Sequence, residues 1–147
     1  MTKMELLEQS WECHKELNER YNKAKEAGDE KGMDACRKEY QELLQEVRAH
    51  GQNFSNMMRL YGEMKKRGNS RIDLNDTCRE PDKIIAAFKE FGVTEFTFSS
   101  TWTNATETAW AFTKLGCRLC GMTEINSQYQ DLMSDEYEKV PAFLFSL

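Results

Sequence analysis

A cysteine pair, two histidines and a run of hydroxyl side chains are the residues of this sequence whose types and spacing can do chemistry. Cys117-Arg-Leu-Cys120 has the spacing of a redox or zinc pair. It falls in a β-prone stretch, where residues three apart point to opposite faces, and there is neither a second pair nor a turn residue between the thiols. Core packing is the expected role. His14 and His50 fall on the apolar seams of two helices, out of register with each other, and are read as packing histidines, buried or half-buried. No Gly-x-Ser-x-Gly elbow, P-loop or Gly-x-Gly-x-x-Gly fingerprint occurs. No catalytic residue, metal ligand or cofactor is therefore expected.

The most suggestive stretch is Ser99, Ser100, Thr101, Trp102, Thr103 and Asn104, a hydroxyl-rich loop between the carboxyl end of a strand and a helix start. Backbone N–H groups and the helix dipole favour an anion at such a place, and Trp102 offers a stacking face. The competing reading is a cap and turn, with Asn104 and Glu107 as a capping box and Trp102 covering the core.

The elements that must position these residues are legible from periodicity. Met4, Leu7, Trp11, His14 and Tyr21 form one helical stripe that ends at Ala27-Gly28-Asp29. A second stripe runs Met33, Cys36, Tyr40, Leu43, Val47, His50, Phe54, Met57, Tyr61 and Met64, and Gly68-Asn69-Ser70 closes it. An antiparallel hairpin buries the two stripes on each other, but the second outruns the first. Gly51 can break it, with residues 52–67 as a third helix. An unbroken rod would instead leave Met57, Tyr61 and Met64 for the α/β half or for a homodimer seam. Each such side chain left in water forgoes up to ~1.5–3 kcal/mol.

From residue 69 the pattern changes to strand, helix, strand, helix, strand, strand. Arg71 to Asn75, Val93 to Ser99, Cys117 to Ile125 and Pro141 to Leu147 are the strands; Pro81 opens one helix and Gly92 and Gly116 close the two. The fold class is α+β. It comprises an N-terminal antiparallel helical hairpin or three-helix extension over residues 1–68, then a small α/β domain with a mixed four-stranded sheet over 69–147, packed as one unit. Right-handed parallel crossovers are expected for the first three strands and an antiparallel course for the last.

Charge is unevenly placed within a net of −5. Residues 1–68 carry 13 basic and 13 acidic side chains and residues 69–147 carry 7 and 12, so the acidity belongs to the second half. It peaks at Glu124, Asp131, Asp135, Glu136 and Glu138, the expected partner-binding surface. A basic cluster, Arg59, Lys65, Lys66, Arg67 and Arg71, lies at the joint of the halves, but no stacking array accompanies it and direct nucleic-acid binding is not expected. Five cysteines at irregular spacing argue for reduced thiols, and no apolar run suits a membrane span or a secretory signal. The cytoplasm is the expected location.

Two resemblances bear on function. Residues 93–147, with Phe112-Thr-Lys-Leu-Gly-Cys117 ending a helix between a strand and two final strands, resemble the closing segment of GNAT-type acyltransferases. Phe112 stands where that family often has a tyrosine thought to protonate departing coenzyme A, and the glycine-rich pyrophosphate loop is absent, so the resemblance implies a small-molecule or acyl-CoA binder. Glu95-Phe-Thr-Phe-Ser-Ser-Thr101, Gly121-Met-Thr-Glu-Ile125 and Asp135-Glu-Tyr-Glu138 are similar to a group of uncharacterised small proteins from phages and conjugative elements of Firmicutes. That resemblance covers most of the chain and assigns no site residues. It implies a non-enzymatic accessory protein of a mobile element that binds a protein partner, such as a host nucleic-acid-targeting defence complex.

Overall fold

The computed structural model describes residues 1–76 and 78–147. These form two compact units, Met1–Arg59 and Leu60–Leu147. The boundary falls inside a helix, ahead of the Gly68 position expected from the sequence.

In the first unit, α1 (Lys3–Glu26) opens with a capping box in which Thr2 and Glu5 satisfy each other's backbone N–H groups. α2 (Glu30–Ala49) starts at the Asp29 cap and packs on α1 as the antiparallel partner. Arg20 donates to Glu39 at 2.7 Å, and His14 lies against Tyr40 with ring centroids 5.3 Å apart. The second stripe is broken: Gly51, at φ +100°, separates α2 from α3 (Gln52–Arg67). That backbone conformation suits glycine, which has no Cβ to clash with the carbonyl. Met57 and Tyr61 are buried within the chain and Met64 is half-buried, so the seam does not leave the first two in water. His50 sits at the C-cap of α2 with its ring against Phe54, centroids 4.7 Å apart, but it is exposed and not buried or half-buried as expected from the stripe.

The second unit is the mixed sheet with two helices. Its strands are β1 (Asp73–Leu74), β2 (Glu95–Phe98), β3 (Arg118–Gln130) and β4 (Tyr137–Ser146); α4 (Pro81–Phe91) and α5 (Ala105–Lys114) join the first three. The spatial order is β1-β2-β4-β3, with β1 and β2 parallel and β4 antiparallel to both neighbours. The expected parallel crossover between the first two strands is present. The third strand does not extend that parallel set, because β4 inserts between β2 and β3 and leaves β3 at the edge. A hairpin connection over residues 131–136 pairs β3 with β4 without a long crossover, which favours this arrangement.

Register sorts the two faces of the sheet. Phe96 stands opposite Phe145 and Phe98 opposite Phe143. Phe88 of α4 and Phe112 of α5 close over that face, with centroid distances of 5.1–5.4 Å among Phe88, Phe96, Phe98, Phe112 and Phe145. Such aromatic contacts add to the burial of area itself. The opposite face carries Asp73 and Thr97, paired in register and both buried.

Candidate functional site

Two polar constructions stand in the second unit. The first is built on the buried pair of β1 and β2. Thr97 donates its hydroxyl to Asp73 Oδ1 at 2.7 Å and Ser99 donates to Asp73 Oδ2 at 2.7 Å, since Thr97 and Ser99 are two apart and share a face. The Arg67 guanidinium, from the last turn of α3, lies 3.8 Å from Asp73 Oδ2 and 3.2 Å from Glu63. Burial pushes the Asp73 carboxyl up to about 6, against the pull of both hydroxyls and of Arg67. Asn126 ties the loop after α3 to β3 by donating its side-chain amide to the Arg67 carbonyl, and Asn69 bonds both the N–H and the carbonyl of Asn126. That side chain stands in for a neighbouring strand and blocks the open edge there.

Above this pair lies a cleft of about 200 Å³ lined by Arg67, Asn75, Asp76, Ser99 to Thr101, Ser127 to Tyr129, Val140 and Pro141. Ser99, Ser100 and Thr101 of the expected ligand loop are therefore in it. Trp102, Thr103 and Asn104 are not; they are exposed, and Trp102 does not cover the core. The anion site expected at the loop is filled by the chain itself. Asp76 accepts from the Ser100 hydroxyl and from the Thr101 backbone N–H, and the Trp102 N–H goes to Ser100. Nor does Asn104 cap α5 with its side chain; its carbonyl accepts from Thr108 instead, so the expected capping box does not form.

The second construction is the tip of the β3–β4 hairpin. Residues 131–136 make a turn in which Asp131 N–H donates to the Glu136 carbonyl at 2.7 Å and Met133 N–H donates to the Asp131 carboxylate at 2.9 Å. Asp135 takes a left-handed conformation, φ 58°, which aspartate tolerates better than most residues. Leu132 and Met133 project from this turn and are 95% and 94% exposed. Beside them a cleft of about 390 Å³ is lined by Tyr129, Gln130, Asp131, Ser134, Glu136, Tyr137 and Glu138. Of the expected partner surface, Asp131, Glu136 and Glu138 thus meet at one cleft. Asp135 sits in the turn, and Glu124 lies further down β3, opposite Pro141.

A family model for a domain of unknown function, DUF7698, matches residues 56–147, more than half of the chain. The chain belongs to the DUF7698 family. Among curated proteins and solved structures, none matches it. The DUF7698 segment begins within α3 and contains Arg67, the cleft over Asp73 and the whole hairpin. Both constructions therefore belong to the shared domain.

Sequence reasoning passed over Arg67, Asp73, Asp76, Tyr129, Tyr137, Leu132 and Met133 as site residues. A signal was present for Asp73, a lone carboxylate between the apolar Ile72 and Leu74 in a strand candidate. Arg67 was grouped with a surface basic cluster; in the structure it is 8% exposed, and Arg71 is paired with Glu95 at 2.7 Å. Cys117 is buried and Cys120 exposed at an irregularity of β3, and both are free thiols. Among the described residues, no group of histidine, cysteine and carboxylate side chains could hold a metal ion, and no helix is long and apolar enough to cross a membrane.

Proposed function

We propose that this DUF7698 chain is a non-enzymatic binding protein that engages a basic protein surface through the tip of its β3–β4 hairpin. The observation that carries the reading is the tip cleft, where Tyr129 and Tyr137 stand with Asp131, Glu136 and Glu138 beside the exposed Leu132 and Met133. Aromatic faces and carboxylates together suit a lysine or arginine side chain, and a neighbouring apolar pair supplies the desolvated contact that a charge pair alone lacks. The finer reading is an accessory protein of a mobile element whose target is the basic nucleic-acid channel of a host defence complex. The excess of acidic side chains in residues 69–147 supports that direction of charge.

The test is capture from bacterial host lysate with the intact chain and with a tip variant, Leu132→Ser, Met133→Ser, Glu136→Lys and Glu138→Lys. Asp131 and Asp135 are left in place because the turn uses them. A partner retained by the intact chain and lost by the variant is expected, with binding that weakens as salt rises. Equal capture by both removes the tip from the reading.

A small-molecule or acyl-CoA binder related to GNAT-type acyltransferases is a second reading. It is favoured by the succession β2, α5, β3, β4, which follows that of the family's closing segment. Stabilisation of the tip variant by coenzyme A, as much as of the intact chain, is its expected sign.

A further inference from the structure

Another cleft, of about 250 Å³, lies in the first unit and is lined from both α1 and α2. His14, Leu17 and Tyr21 follow one another at 3-4 spacing on α1, and Cys36 and Tyr40 stand four apart on α2, so each helix turns one face to it. Leu17 and Cys36 are buried and form an apolar floor. Two ring contacts join the helices there: His14 meets Tyr40 with centroids 5.3 Å apart, and the Arg37 guanidinium lies 5.6 Å from the centre of the Tyr21 ring. Arg37 brings the one fixed charge among the described residues that line the cleft. It is open to a ligand, because its side chain is 59% exposed. Its bond to Asp34, at 2.7 Å, is a surface pair whose other member is 74% exposed. A pair so exposed contributes little, and a ligand carboxylate can share or replace it at small cost. The Tyr21 hydroxyl accepts from Arg37 at 3.3 Å and holds the guanidinium against a ring that lines the cleft. A cationic ligand is disfavoured, since Arg37 already occupies the Tyr21 ring and repels it. An uncharged apolar one would cover the guanidinium without offering it an acceptor. The rings of His14, Tyr21 and Tyr40 suit a flat aromatic body.

We infer that this cleft binds a small aromatic carboxylate, its ring on the Leu17 and Cys36 floor and its carboxylate on Arg37. The volume suits a single ring or two fused rings and is small for a larger ligand. All the lining residues precede residue 56, where the DUF7698 match begins, so the inference is independent of the hairpin tip.

The test is titration of ¹⁵N-labelled full-length protein with benzoate and with indole-3-acetate to about 5 mM, a range that detects even weak binding. The matching amides and benzylamine are titrated beside them. At least one carboxylate is expected to shift the backbone resonances of His14, Tyr21, Arg37 and Tyr40 saturably, with its amide bound about fivefold or more weakly and benzylamine more weakly still. Arg37→Gln is expected to weaken the carboxylate about fivefold or more and to leave the amide unchanged, because it removes only the charge. Tyr40→Ala is expected to weaken carboxylate and amide alike, by about threefold or more. Both substituted positions are exposed, so the fold tolerates the changes, and either variant suffices if the other fails to fold. The inference is overturned if neither carboxylate moves these resonances, if the amide or benzylamine binds as tightly as the carboxylate, or if a folded variant binds like the native chain.

Discussion

Asp73 concentrates the electrostatics of this chain in one carboxyl group. Thr97, Ser99 and Arg67 all favour its charged form, yet burial outweighs them and the group titrates at about 6. An acid whose pKa is higher folded than unfolded binds a proton on folding. Its stabilising contribution is complete below about pH 4 and is lost as the pH rises through about 6. A shift of that size corresponds to about 2–3 kcal/mol, with Asp76 and Glu63 among the other charges near the network. Urea unfolding of the native chain and of Asp73→Asn at pH 4 and pH 7 should therefore diverge. The native chain is expected to lose about 2–3 kcal/mol relative to the variant over that interval, and parallel curves would show that Asp73 titrates normally. Thr97→Val, at a fully buried position, removes one of the two hydroxyls that hold the carboxylate. It is expected to lower stability at pH 7 by about 1–3 kcal/mol and by less at pH 4, where the carboxyl is protonated.

Among the elements, α5 and the break at Gly51 lend themselves to test. Phe112 is fully buried and touches Phe96, Phe98 and Phe145, so α5 is held to the sheet by one ring. Phe112→Ala is expected to cost about 3–5 kcal/mol in urea unfolding, as large-to-small changes in a core do. Gly51→Ala places a Cβ at φ +100° where no heavy atom crowds it, so the cost is conformational and of order 1–2 kcal/mol. Should the variant be as stable as the native chain, a continuous α2–α3 rod must be accessible at no cost. Light scattering on the same variant then reports whether straightening the rod exposes the Met57 and Tyr61 seam to a second copy.

At the scale of the whole molecule, a neutral first half is joined to an acidic second half that carries both candidate sites. Met57 and Tyr61 are covered within one chain, so Met57→Glu puts a charge in a buried place. It is expected to lower the thermal midpoint by more than about 10 °C, since an unpaired buried charge is among the most disruptive substitutions. A variant that stayed folded, and whose mass halved from that of a native dimer, would instead make these residues an interface. The proposed protein partner is expected to bind at the hairpin tip.

What the sequence determined by itself was local: where each helix starts and stops, and which residues are apolar on one face. Pro81, Gly28, Gly68, Gly92 and Gly116 mark boundaries because their backbone limits act within a residue or two, and the 3-4 stripes survive any tertiary arrangement. Gly51 was legible as a place where a break can occur, but a strong stripe ran through it, and the structure decided for the break. The sheet order was not legible, because pairing β4 between β2 and β3 depends on which strands can reach each other. β3 runs on through the polar Asn126 to Gln130, where β4 pairs with it at Asn126 and Gln130 on either side of an irregularity in the register. The sites lie beyond local signals for the same reason. Arg67 and Asp73 come from a helix end and a strand, and only the folded chain turns a surface-looking arginine inward against a buried carboxylate, beneath a loop whose own anion site Asp76 has already taken.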